Sequence, residues 1–300
     1  MTLDRQGETG VIGGAKAIGH AMAYETILYE VRDGVGIITL NRPAKMNAFN
    51  DTMFREWMEA LERAEADEQV RVVLWRGAGE RAFSSGFDIS PEAGRIGGSP
   101  PDRTPEQSRM SAERSCRYGL RLWDYPKPIV AAVAGYCLAV AHEFVQLCDL
   151  VVAADNAKFG EPEIRHHSGP PIMITPYIVG LHKAKELLLM GDTVDAATAE
   201  RLGLVNRVVP LAELDKESMR IAKRLALVPA LSLKLNKKAI NHVWEQAGLR
   251  ETLTHNAALV AIIHTTDVPE WRRFRDIQKE HGFKAFLEAR DKPFRDLDGE

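Results

Sequence analysis

A chain of 300 residues with 45% hydrophobic content has material for one large core, or for one core and a smaller appendage. Lys and Arg number 39 against 42 Asp and Glu, and the formal net charge of −3 leaves no basic surplus for a nucleic-acid partner. The longest uncharged apolar run, residues 129–141, is well short of the roughly 20 residues of a membrane span, so no membrane partner is expected.

Residues 1–24 carry Gly and Ala but no charged start followed by an apolar block, which predicts a poorly ordered extension rather than a signal peptide. Residues 26–32 and 36–40 are β-rich and separated by Asp33-Gly34, a strong hairpin signal. Asn41-Arg42-Pro43 closes the second strand. Residues 51–66 then take helical spacing, with Met53, Trp57, Leu61 and Ala64 on one face and a cap at Asn50 or Asp51. Residues 70–75 read as a buried strand and 77–79 as a turn. Residues 90–109, rich in Gly, Pro and Ser, predict a mobile surface loop before a helix ending at Trp123. Buried strands follow at 128–134 and 150–154, so strands alternate with helices and the sheet is mainly parallel. After about residue 209 the pattern becomes purely helical, over 211–227, 231–244, 251–264 and 270–289. Three cysteines, Cys116, Cys137 and Cys148, form no C-x-x-C pair and read as reduced thiols of a cytoplasmic protein.

Three segments carry chemistry. Ala82-Phe83-Ser84-Ser85-Gly86-Phe87-Asp88-Ile89 is a small-residue loop after a strand, able to aim backbone N–H groups at an anion, though such loops are also ordinary surface turns. Gly135 to Phe144 joins a buried strand to a helix whose first N–H groups are free. Within it Glu143 is an acid in apolar company, a catalytic group or a buried salt-bridge partner. Phe159-Gly160-Glu161-Pro162-Glu163 is a turn presenting two acids, catalytic or merely solvated. His166-His167 lacks a third ligand at metal spacing, so no metal is expected.

In order and spacing these segments resemble the crotonase superfamily, the enoyl-CoA hydratase/isomerase family. Asn41-Arg42-Pro43-x-Lys45-x-Asn47-Ala48, Cys148-Asp149-Leu150-Val151-Val152-Ala153-Ala154 and Gly203-Leu204-Val205-Asn206-Arg207-Val208-Val209 extend the likeness over residues 23–264. The resemblance implies an α/β fold: a crotonase-type ββα spiral core over 25–209, then a C-terminal helical trimerisation segment over 210–300. It implies homotrimers, or hexamers that are dimers of trimers. It implies that the N–H groups of Phe87 and Val140 form an oxyanion hole, that Glu143 and Glu163 are the catalytic carboxylates, and that Ser85 offers its carbonyl to the adenine. Arg42, Lys45, Ala48 and Asp88 fall in the coenzyme A-binding segments.

The expected reaction is hydration of a 2-enoyl-CoA, or the reverse, with coenzyme A carried by the substrate and no resident cofactor. The alternatives are isomerisation, thioester or carbon–carbon hydrolysis, and a non-enzymatic acyl-CoA-binding protein. They are kept open because Ala139-Val140-Ala141 replaces the family's glycine run and Arg165 to Pro171 replaces its glycine-rich turn. Val140, being β-branched, disfavours any positive-φ geometry at that position.

Overall fold

The structure, a computed structural model, describes residues 24–90 and 104–299. The expected N-terminal extension, apart from its last residue, and residues 91–103 of the expected loop lie outside them.

β1 (Ile27–Arg32) and β2 (Val35–Leu40) pair antiparallel with Ile27 opposite Leu40. Asp33 and Gly34 between them both have positive φ, 53° and 76°, as a two-residue type I′ turn demands. α1 (Asp51–Ala66) starts where the Asn50 side chain accepts the Met53 N–H. Its apolar stripe buries Met53, Phe54, Trp57, Leu61 and Ala64. Each large side chain removed from water there contributes about 1.5–3 kcal/mol. β3 (Val72–Gly77) lies parallel to β2 and leads through a turn into β4 (Ala82–Ser84).

α2 (Pro105–Trp123) begins earlier than the sequence suggests. Thr104 and Gln107 close a capping box and Pro105 occupies the first helical position, so residues 105–109 are helix rather than loop. Next come β5 (Ile129–Val133), β6 (Tyr136–Leu138), α3 (Val140–Gln146), β7 (Leu150–Ala154) and β8 (Lys158–Gly160). A 3₁₀ turn at Pro162–His166 precedes α4 (Thr175–Val179), α5 (Leu181–Met190), β9 (Thr193–Asp195), α6 (Ala196–Leu202) and β10 (Arg207–Val209).

The strands form two sheets. One has the order β1-β2-β3-β5-β7-β10, parallel except at β1; the other has the order β4-β6-β8-β9. Three times, at β3–β4, β5–β6 and β7–β8, the chain lays one strand in the first sheet, turns a corner and lays a short strand in the second. Gly135 makes the corner between β5 and β6 at φ +63, where a Cβ would lie 2.2 Å from the Arg81 carbonyl oxygen. Between the sheets sits an aromatic core in which Trp57 stacks on Trp75 at 4.8 Å and Phe49 and Phe144 meet edge to face.

The helices after residue 209 divide in their packing. α7 (Leu214–Ala226) covers the outer face of the six-stranded sheet with Leu214 and Ala222. α9 (Leu249–Thr265) packs on α2 and buries Leu253, Ala257 and Val260. Between them, α8 (Ala230–Gln246) has no buried residue. It is held by its polar side, where Lys237 pairs with Asp149 at 2.8 Å and Asn241 donates to the Trp123 carbonyl, so Leu231, Leu235, Ile240 and Val243 face outward. α10 (Pro269–Asp298) breaks at Gly282, whose φ is 82° and ψ 176°.

Candidate active site

The two small-residue loops meet face to face. In the first, Phe49 and Phe87 form a parallel bridge: the Phe49 N–H donates to the Gly86 carbonyl and the Asp88 N–H to the Phe49 carbonyl, each at 2.8 Å. That pattern turns the N–H of Phe87 itself away from the bridge, and it has no acceptor among the described residues. In the second, Ala139 takes φ 53° and ψ −137°, with its N–H anchored on the Gly160 carbonyl at 2.9 Å. Val140 is the first residue of α3, and its N–H likewise has no acceptor among the described residues. Positive φ thus falls on Ala139, not Val140, so the β-branched side chain carries no backbone strain. A Cβ on Gly86 would stand 3.6 Å from the Val140 nitrogen, which shows how closely the loops approach.

Both donor residues line a cleft of about 1140 Å³, together with Ser85, Glu163, Ser168 and Arg290. Glu163 reaches the wall of this cleft from the 3₁₀ turn, and Glu143 lies behind it on α3, fully buried. Between them stands a third acid. Glu161, read from the sequence only as one of two acids on a turn, is buried, and oxygens of Glu143, Glu161 and Glu163 all lie within 4.8 Å of one another.

Few partners relieve this crowding. Glu143 Oε2 accepts the Ile172 N–H at 2.5 Å, and Glu161 Oε1 accepts the Thr175 hydroxyl at 3.4 Å. Glu143 Oε1, Glu161 Oε2 and Glu163 Oε2 have no hydrogen-bond partner among the described residues. Burial, and then the neighbouring carboxylates, raise Glu143 and Glu161 well above the ordinary carboxylate range. Burial raises Glu163 to about 7, against the opposing pull of its backbone hydrogen bond and of Arg290. Raised proton affinity in all three carboxyls favours keeping acid and base forms side by side. A water donating to two oxygens about 4.5–4.8 Å apart keeps normal hydrogen bonds to both, so this spacing suits a shared water. The salt-bridge alternative for Glu143 meets no cation among the described residues: His142, its neighbour on α3, is held neutral by burial at about 4.

The coenzyme-binding positions separate. Ser85 is on the cleft wall. Arg42 is engaged with Asp88 at 2.9 Å and with the Ala48 carbonyl, tying the β2–α1 connection to the Phe87 loop. Lys45 is exposed, and Arg42, Lys45, Ala48 and Asp88 all lie off the cleft wall. The cations that do line it include Arg165, Arg275, Lys279 and Arg290, which no sequence signal marked.

The chain matches the family model described as enoyl-CoA hydratase/isomerase over residues 30–297. A Mycobacterium tuberculosis protein named "Probable enoyl-CoA hydratase" is 34% identical over 276 residues, covering 91% of this chain and 99% of that one. A crotonyl-CoA hydratase of Syntrophomonas wolfei is 31% identical, with 91% and 99% covered. Among solved structures, an enoyl-CoA hydratase/isomerase from Xanthobacter autotrophicus Py2 superposes with a TM-score of 0.84 at 37% identity, covering 90% of this chain and 99% of its own.

Proposed function

The chain belongs to the enoyl-CoA hydratase/isomerase family, and from that premise we propose that it adds water across the double bond of a 2-enoyl-CoA, or removes it in reverse, with Glu143 and Glu163 as the acid–base pair. The observation that carries the assignment of roles is the cleft itself, lined by two N–H groups without acceptors among the described residues and by the Glu163 carboxyl, with Glu143 buried behind it. The thioester oxygen accepts from Phe87 and Val140. One carboxylate takes a proton from the bridging water as its oxygen bonds to the β-carbon, and the π electrons move into an enolate held by the two donors. The second carboxyl gives its proton to the α-carbon as the thioester carbonyl reforms. The pair begins and ends with one proton. Ser85 offers its carbonyl to the adenine, and the Arg42–Asp88 pair, backed by Ala48, holds that loop in place. The chemistry draws on no resident cofactor, and unpaired buried thiols support a cytoplasmic site of action.

Loss of enoyl absorbance from crotonyl-CoA tests the reaction; a purified protein that leaves every enoyl-CoA chain length unchanged would refute it. The pH profile tests the pair. The reactive form carries an ionised carboxylate whose proton affinity is raised, so kcat/KM is expected to fall as pH drops through about 7. A profile flat down to the ordinary carboxylate range would sink that account.

We further propose assembly into trimers or dimers of trimers, supported by the outward apolar side chains of α8, of which Leu231 is 68% and Val243 66% exposed. Light scattering is expected to give three or six times the 33.4 kDa chain mass. Leu235→Lys with Ile240→Lys is expected to lower that mass to a single chain, and an unchanged assembly would place the interface elsewhere.

A further inference from the structure

Glu161 has no task in the hydration described above, yet it is buried beside both acids that do. It stands where β8 passes into the 3₁₀ turn, and its side chain points inward. From α3 it meets Glu143 and His142, whose Nε2 lies 4.0 Å from Glu161 Oε1 and whose neutral ring supplies no counter-charge. From the turn comes Glu163, from α4 the Thr175 hydroxyl, and from β6 the Cys137 thiol, which burial keeps protonated. Arg290 of α10 acts on Glu163, and no cation acts on Glu161 among the described residues.

The three buried carboxyls have three oxygens lacking donors among the described residues. Protons of their own satisfy them, because a carboxylic acid is a donor and an O–H between two carboxyl oxygens replaces repulsion by a hydrogen bond. Hydration needs the Glu143–Glu163 pair to hold a single proton. Of the three, Glu163 lines the cleft, and Glu143 and Glu161 both lie behind it.

We propose that Glu161 is a positioning residue that remains a carboxylic acid through the catalytic cycle and donates its O–H to the Glu143–Glu163 pair, leaving that pair one proton to pass between water and substrate. The proton on Glu161 is neither gained nor lost in a turnover. Its donated hydrogen bond favours the ionised form of the carboxylate that receives it, so the base stays available at neutral pH. The proposal rests on the two-glutamate reading of the reaction.

The test compares wild type, Glu161→Gln and Glu161→Leu in kcat and KM for crotonyl-CoA from about pH 5.5 to 9. Gln keeps the size and a donor but cannot ionise. Its kcat is expected within about threefold of wild type, with the acid limb of the profile unmoved. Leu removes the donor: kcat at neutral pH is expected to fall about tenfold with KM little changed, and the acid limb to move up by about one unit. An acid limb moving down by about one unit in Glu161→Gln would mean that a negative charge had been removed, and would overturn the proposal. So would a wild-type profile in Glu161→Leu. Activity lost to EDTA and restored by a divalent cation would overturn it too, because the trio would then be a metal site.

An infrared difference spectrum gives a readout independent of turnover. Glu161→Gln is expected to lose one protonated-carboxyl C=O band at neutral pH, and retention of every such band refutes the idea. Should wild type hydrate no enoyl-CoA, the reaction reading fails while this band still decides the proton on Glu161. Should the Leu variant not fold, the Gln profile and the infrared band decide.

Discussion

Glu143→Gln and Glu163→Gln are each expected to lower crotonyl-CoA hydration by about 10²-fold or more, the contribution of a positioned acid or base, with little change in affinity for the coenzyme A ester. Both variants are also expected to melt higher than wild type at pH 8. Burial raises Glu163 from 4.5 to about 7 and Glu143 well above the ordinary carboxylate range. A carboxyl with raised proton affinity stabilises the fold below its unfolded value, and that stability is lost as pH climbs through its folded value. At pH 8 wild type therefore carries buried charge that an amide does not. The gain is on the order of 1–3 kcal/mol, or a few degrees in Tm for a chain of this size. Assay and calorimetry read the two effects separately. Near-normal turnover in either variant would refute the two-carboxylate mechanism. A Tm equal to or below that of wild type would refute the electrostatic account of the site.

That site was legible in the sequence only where local pattern sets it. The span of α1 follows from its apolar spacing and the Asn50 cap, and the β1–β2 hairpin from Asp33-Gly34, because the forces involved act within a few residues. The strands of the second sheet, three residues each, are too short to show any period; they exist because the ββα path brings them together. Glu143 read as a lone acid because its hydrogen-bond partner, Ile172, lies 29 residues away and its charged neighbours 18 and 20 residues away. Glu161 stayed ambiguous beside Glu163 for the same reason: a turn with two acids looks solvated until α3 and α4 close over it. The pairing of Arg42 with Asp88 could not be seen in the sequence, because the two are 46 residues apart. Val140 avoids positive φ, as its β-branched side chain favours, and the departure falls on Ala139, which the sequence left open because substitution of a glycine run does not say which member holds the positive φ.

Gly86→Ala is expected to reduce kcat for crotonyl-CoA by about 10²–10³-fold, the loss that follows removal of one oxyanion donor. The new methyl would lie 2.8 Å from the Ala139 Cβ and 3.1 Å from the Leu138 carbonyl oxygen, on a backbone with φ +92. Neither neighbour yields readily. Leu138 is the last residue of β6, and Ala139 is fixed by its hydrogen bond to Gly160 and by its own positive φ. Relief comes from parting the two loops, and the loops carry the two N–H groups that must converge on one oxygen. The Phe49–Phe87 bridge and the Arg42–Asp88 pair should keep the fold intact, so circular dichroism is expected to stay unchanged while turnover collapses. Gly180→Ala is the matched control. Gly180 also has positive φ, +77 with ψ 170, but nothing lies within 4 Å of its added Cβ, so a conformational cost of about 1–3 kcal/mol without any parting of the loops is expected, and activity should persist. Equal losses in both variants would trace the effect to general instability. Turnover within about threefold of wild type in Gly86→Ala would mean that the thioester oxygen is bound elsewhere than between Phe87 and Val140.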